Sequence, residues 1–273
     1  MKKALIVTAL VTAALVLASC SMPIDPVTTD DSSVQSRGPS SVKASSVVDL
    51  SKWFIDLPYN SSYVYSDKYD AINKKPSQLA TWVEPTSTKG LWAASDKSYI
   101  SIYCPWNASH YGTSTNPRSE FKQMKDDSNR ESWSTSSSDK HWIEAYYRVV
   151  THTTGKNVCF VQVHDTNDDV IEYQLVKNSS GGYNIVVKGE YVPSADNGKV
   201  IGTVAANTWF KFRVFAQSGY IKAYLNGSST AAYVLKTSRS DCYFKTGVYL
   251  QTSPTSGACQ IDIKAATLKH GVN

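Results

Sequence analysis

Apolar and polar side chains alternate with a period of two along much of this chain, the spacing of half-buried β-strands. In Tyr243-Phe-Lys-Thr-Gly-Val-Tyr-Leu-Gln251, the residues Tyr243, Lys245, Tyr249 and Gln251 fall on one side of an extended strand, with Gly247 in their row. Phe244, Val248 and Leu250 fall on the other side. Runs rich in β-branched and aromatic residues recur at Tyr99–Tyr103, Trp142–Val150, Val158–His164, Val170–Val176, Tyr183–Lys188, Trp209–Phe215, Tyr220–Leu225 and Cys259–Lys264. Turn chemistry separates several of them, at Ser179–Gly182, Asn197-Gly198, Gln217–Gly219 and Asn226-Gly227. No segment keeps a 3.6-residue period, although the region from Asp70 to Gln78 has room for a short helix. Many short strands without helices predict an all-β fold, a jelly-roll sandwich of two antiparallel sheets.

The first residues read differently. Lys2 and Lys3 precede an apolar run from Ala4 to Ala18, which ends in Leu17-Ala-Ser-Cys20. This is an export leader, and residues 1–20 are expected to leave the mature fold. A cysteine directly after Leu-Ala-Ser resembles a bacterial lipoprotein signal, with Cys20 as the lipidated residue. Export with a lipid anchor in the cell envelope follows, in the outer membrane if the host has one. Residues 21–46 are dominated by Ser, Thr, Asp, Pro and Val, and are expected to form a flexible tether. Residues 47–273 remain for one folded domain, long enough for a large core.

Charge and cysteine content narrow the functional classes. A formal net charge of +5 is too mild and too scattered for a nucleic-acid protein, but it is compatible with an acidic polymer held in one groove. Beyond Cys20, the cysteines are Cys104, Cys159, Cys242 and Cys259. In an exported chain they allow two disulfides in three connectivities, or four buried thiols. No Cys-x-x-Cys pair is present, so zinc is not expected, and nothing else in the chain calls for a cofactor. Asp165-Thr-Asn-Asp-Asp169 has the acidity of a calcium loop but lacks its glycine and distal glutamate, and reads as an acidic turn.

Two further segments share the alternation of the 243–251 run. Arg118, Glu120 and Lys122 share one face with Phe121 on the other; Gln162 and His164 share one face with Val161 and Val163 on the other. Three such strands side by side would give a concave groove of cations, amides, an imidazole and phenols.

These three segments, in this order and spacing, resemble the signature motifs of polysaccharide lyase family 7, the alginate lyases. Two departures are visible: Phe121-Lys122 stands where Leu-Arg is usual, and Thr246 where alanine is usual. The resemblance implies cleavage of alginate by β-elimination, with no metal needed and an anionic polysaccharide as partner. Arg118 and Gln162 would neutralise the uronate carboxylate, His164 would take the C5 proton, and Tyr249 would protonate the leaving O4; on mannuronate, whose C5 hydrogen and O4 lie on the same side of the ring, a tyrosine could serve as both base and acid, so the division of labour depends on the substrate. Lys122, Tyr243, Lys245 and Gln251 would bind neighbouring sugar units, and Glu120 would orient Arg118 or Lys122. Val163 between Gln162 and His164 goes with mannuronate preference in this family. A monomer is expected. The alternatives are a lyase for another polyuronate such as glucuronan, and a non-catalytic carbohydrate-binding sandwich, which would need no acid–base pair.

Overall fold

The computed structural model describes residues 40–66, 70–112, 114–252 and 254–272. The leader, Cys20 and the tether up to residue 39 lie outside the described residues. The last stretch assigned to the tether packs on the domain: Ala44 is buried and donates its N–H to the Trp82 carbonyl, and the Ser40 hydroxyl donates to the Ala93 carbonyl.

Among the described residues fifteen strands follow in chain order: β1 (Trp53–Asp56), β2 (Asn73–Lys74), β3 (Leu91–Ala93), β4 (Ile100–Pro105), β5 (Arg118–Gln123), β6 (Lys140–His152), β7 (Val158–His164), β8 (Asp169–Lys177), β9 (Tyr183–Lys188), β10 (Val200–Val204), β11 (Phe210–Gln217), β12 (Tyr220–Leu225), β13 (Tyr233–Lys236), β14 (Tyr243–Leu250) and β15 (Ala258–Val272). They form an eight-stranded sheet in the order β10-β9-β8-β7-β14-β5-β1-β2 and a seven-stranded sheet in the order β13-β12-β11-β6-β15-β4-β3. Every pairing is antiparallel. This is the predicted jelly roll. The helix is shorter than its allotted region: α1 spans Pro76–Leu79, opening on a proline whose missing N–H costs nothing at that position.

The inner faces of both sheets make one apolar core. Tyr147 of β6 meets Phe160 of β7 edge-on at 5.2 Å, and Phe212 of β11 lies 5.0 Å from Tyr173 of β8. Each fully buried apolar side chain of this size stabilises the fold by roughly 1.5–3 kcal/mol. Thr246 sits on this inner face, donating to the Phe160 carbonyl and bonding the Tyr147 hydroxyl. It therefore satisfies a buried phenol, which alanine could not do.

Two irregularities set the groove. Along β7 the register with β8 shifts between Cys159 and Val161, so Phe160 and Val161 both face the core. Gln162 and His164 then regain the outer face. Along β14 the register with β7 shifts between Thr246 and Tyr249. Gly247 lies in that shift with φ +142°, and a Cβ there would stand 2.6 Å from the Ser119 carbonyl oxygen and 3.0 Å from the Glu120 Cα. The glycine lets β5 approach closely; it does not open space in the groove. All four described cysteines are buried free thiols, with Cys104 directly opposite Cys259 across β4 and β15.

Candidate active site

The three motif strands are neighbours, with β14 between β7 and β5. Register places Tyr243 opposite His164, Lys245 opposite both Gln162 and Lys122, Gly247 opposite Glu120, and Tyr249 opposite Arg118. The predicted polar residues of these three strands thus share one outer face.

At its centre is the Glu120 carboxylate, 2 % exposed. Gln162 donates its amide N–H to Glu120 Oε1 at 2.5 Å, Lys245 Nζ lies 3.0 Å from Oε2, and Arg118 Nη1 lies 3.4 Å from Oε2. Burial alone would push this carboxyl up, but Lys245 and Arg118, with hydrogen bonds from Lys245 and Gln162, hold it below its usual range. In return Glu120 keeps the buried Lys245 ammonium protonated against its own desolvation. One carboxylate thus contacts three donors, and of the two alternatives, Arg118 or Lys122, it is Arg118 that it meets. Lys122 turns to Asp56 on β1, at 3.9 Å, and lies over the rings of Phe54 and Tyr111. Lys245, expected to meet sugar, is itself buried and holds Glu120.

Arg118 keeps donors to spare. Its Nη2 donates to Ser114 Oγ at 2.7 Å, while its buried Nε makes no hydrogen bond among the described residues. Its guanidinium carbon lies 3.9 Å from the centre of the Tyr249 ring. The Tyr249 hydroxyl accepts from Asn116 Nδ2 at 3.5 Å, which leaves its own proton free to be given.

His164 is fixed from one side. Its Nδ1 lies 2.6 Å from the Asp165 carbonyl oxygen, which can only accept, so the proton sits on Nδ1 and the lone pair on Nε2. Burial, then the Lys245 charge, push its pKa down to about 4. The ring is therefore an unprotonated base at neutral pH. Tyr243 stacks on it, centroids 5.3 Å apart, and Arg130 donates to the Tyr243 hydroxyl at 3.1 Å.

Gln251 lies past the end of β14, its backbone N–H bound to the Asn157 carbonyl, and lines a hollow with Glu172, Gln174 and Lys188, in which Glu172 stands opposite Gln162. The Asp165 loop is an acidic turn: Oδ1 accepts the N–H groups of Asn167 and Asp168, and Oδ2 takes Arg239 at 2.6 and 2.9 Å. Sequence reading missed Ser114, Asn116, Arg130 and Asp56. The first three stand in loops or turns, where no alternation marks a direction.

A jelly roll whose outer groove gathers an arginine, a buried lysine and an amide beside an imidazole and two phenols defines a protein that holds acidic sugar chains. The alginate lyase family model matches residues 48–270, and the chain belongs to that family. Solved structures agree on the fold. Alginate lyase AlgAT5 from polysaccharide lyase family 7 superposes with a TM-score of 0.69 at 23% identity, covering 85% of this chain and 100% of that one. The alginate lyase from Corynebacterium sp. gives 0.69 at 21% identity, over 83% of this chain and 97% of its own. One from Pseudomonas aeruginosa gives 0.66 at 20%, over 81% and 99%. No curated protein sequence matches.

Proposed function

We propose that this enzyme cleaves alginate by β-elimination, leaving 4,5-unsaturated uronate ends, with Arg118, Gln162, His164 and Tyr249 carrying the reaction. The C5 proton of a uronate is weakly acidic because the neighbouring carboxylate resists more negative charge. Arg118, whose Nη1 and Nη2 each keep a second N–H beyond their bonds to Glu120 and Ser114, and Gln162, with one amide N–H left over, are the donors for that carboxylate. Preorganised donors of this kind contribute about 3–4 kcal/mol each. His164 Nε2 takes the proton, and Tyr249 gives its own to the departing O4. The resulting phenolate faces the Arg118 guanidinium. General acid–base help of this sort is worth on the order of 10²–10⁴-fold. The observation that carries the reading is the buried carboxylate of Glu120, which holds Arg118, Gln162 and Lys245 together between His164 and Tyr249 along the strands.

We further propose a mannuronate preference. Val163 is fully buried opposite Phe244, so it acts by setting the height of its neighbours Gln162 and His164 rather than by touching sugar. Export and membrane anchoring through Cys20 belong to the same proposal, tested by metabolic labelling with a fatty acid and its loss in Cys20→Ala.

Incubation with poly-mannuronate, poly-guluronate and glucuronan, followed by the ultraviolet absorbance of the unsaturated product, tests the reaction. Alginate blocks should yield product, poly-mannuronate faster. Tyr249→Phe and His164→Ala should each lower turnover by about 10²-fold or more. No product from any polymer would favour a binding module, product from glucuronan alone would reassign the substrate, and near-full turnover in either variant would remove that residue's role.

A further inference from the structure

The seven-stranded sheet turns its own outer face to solvent, away from the groove, and its side chains are ordered across the strands. Lys211 of β11 is opposite Tyr146 of β6, which is opposite Lys264 of β15. Four residues along β11, Lys222 of β12, Phe215 of β11, Trp142 of β6 and Lys269 of β15 form a second row. At the strand spacing of about 4.8 Å, the first row runs cation, ring, cation and the second cation, ring, ring, cation. In the first row the ring lies beneath the charges. Lys211 and Lys264 stand 5.8 and 5.9 Å from the Tyr146 ring centre, Lys264 also lies 4.4 Å from that of Trp209, and Trp142 stacks on Phe215 at 6.4 Å. Between the rows, Arg213 lies over Tyr224 at 4.4 Å, and a hollow of about 80 Å³ opens between Lys211, Arg213, Glu144 and Tyr224.

Charge on this face is one-sided. Its strands carry two outward carboxylates, Glu144 and Asp262. Asp262 is held by Arg148 at 2.7 and 3.1 Å, and Glu144 lies between Lys211 at 2.8 Å and Arg213 at 3.8 Å. Lys222, Lys236, Lys264 and Lys269 have no carboxylate within ion-pair distance among the described residues. Such a face complements a linear polymer with a carboxylate on every unit and C–H faces that lie on aromatic rings. Tyr146, Tyr220 and Val234 on these strands are exposed, and of the three Val234 alone is aliphatic, where an anionic membrane would call for several apolar side chains standing clear of the surface.

We propose that this outer face is a second binding surface for acidic polysaccharide, with Lys211, Tyr146 and Lys264 in one row and Lys222, Trp142 and Lys269 in the other. It rests on the alginate reading for the identity of the polymer. A long chain occupies both faces of the sandwich or is held at one while the other cuts; a short oligosaccharide fills the groove alone. The surface thereby raises the local concentration of polymer without touching the chemistry.

The test compares the wild type with Lys211→Ala/Lys264→Ala/Lys269→Ala and with the matching triple arginine variant. Steady-state kinetics are measured on poly-mannuronate and on a tetrasaccharide cut from it, alongside retardation in native gels cast with the polymer. The alanine variant should show a KM on polymer raised about tenfold, unchanged kinetics on the tetrasaccharide, and faster migration in the gel. The arginine variant should behave as the wild type. Unchanged polymer KM and migration in the alanine variant would overturn the proposal, and so would an equal loss on the tetrasaccharide. Binding to phosphatidylglycerol vesicles that the alanine variant loses, with polymer kinetics intact, would reassign the face to membranes. If the wild type turns over neither substrate, the lyase reading fails; a wild-type retardation that the alanine variant loses would still uphold the surface, and its absence would sink it.

Discussion

The two sheets of this sandwich use the same residue types on their outer faces to opposite effect. On the groove sheet, Glu120 is buried and three donors converge on it. On the opposite sheet, Glu144 is partly exposed and its lysine and arginine partners lie over aromatic rings in contact with water. Charge–charge attraction is several-fold stronger where water is excluded, and so is the penalty for leaving a charge alone. The groove therefore has one arrangement, already in place before any sugar arrives. The opposite face keeps its charges in contact with water, where each pair is held less firmly, as the proposed role of holding a chain would allow.

Removing the central carboxylate is the strongest way to break this contrast. Glu120→Gln keeps the shape but leaves the buried Lys245 ammonium without a counter-charge. Breaking a buried pair in this way costs about 3–5 kcal/mol, measured by urea unfolding, and turnover should fall with it as Arg118 and Gln162 lose their anchor. Below pH 4.5 the loss should shrink, because the wild-type carboxylate itself protonates once the pH falls through its lowered pKa. A cost under about 1 kcal/mol would mean the groove is as forgiving as the opposite face.

Much of that groove was legible in the alternation alone. Parity placed Arg118, Glu120, Gln162, His164, Tyr243, Lys245 and Tyr249 on one face, because a half-buried strand cannot present them otherwise. Pairing within the face was not legible. Lys122 shares the parity of Glu120, yet it turns to Asp56 on β1, a strand the sequence hid. Trp53-Phe-Ile-Asp56 has three buried positions of four, and Leu91-Trp-Ala93 has all three, so neither shows a period of two. Gln251 fits the parity but lies after the strand has ended, and parity means nothing there. Lys245 fits it too; the pattern gives direction, not depth, and could not tell a buried ammonium from one offered to substrate.

Lys122 itself offers a smaller and opposite change. Among the described residues Asp56 Oδ1 is buried without a hydrogen-bond partner and Oδ2 has the Lys122 ammonium at 3.9 Å, and burial holds the carboxyl above the usual range. A planar guanidinium can reach both oxygens of a carboxylate where an ammonium reaches one. Lys122→Arg should therefore stabilise the fold by about 1 kcal/mol, raising Tm by roughly 2–4 °C, and lower the Asp56 pKa. A fall in Tm would mean that the space above Phe54 and Tyr111 does not admit the fork. Either way the groove is tested for whether its remaining loose pair can be closed like the Glu120 cluster.

The smallest effect on stability is expected at the opposite face. Glu144→Gln removes a carboxylate from between Lys211 and Arg213, whose side chains are 30% and 37% exposed. Exposed pairs of this kind contribute about 0.2–1 kcal/mol, and salt screens them. The Tm should move by a degree or two and less at high ionic strength. Binding should respond in the other direction. With Glu144 neutral, both cations are released to the hollow beside Tyr224, and retardation by poly-mannuronate should increase, most visibly at low salt. The same kind of substitution would thus disable one sheet and strengthen the other: on the proposed reading Glu120 holds donors in the geometry that the chemistry needs, whereas Glu144 would compete with the polymer for its cations. Retardation unchanged by Glu144→Gln would mean that Lys211 and Arg213 do not meet the chain, and would confine the second surface to the lysines of β15 and β12.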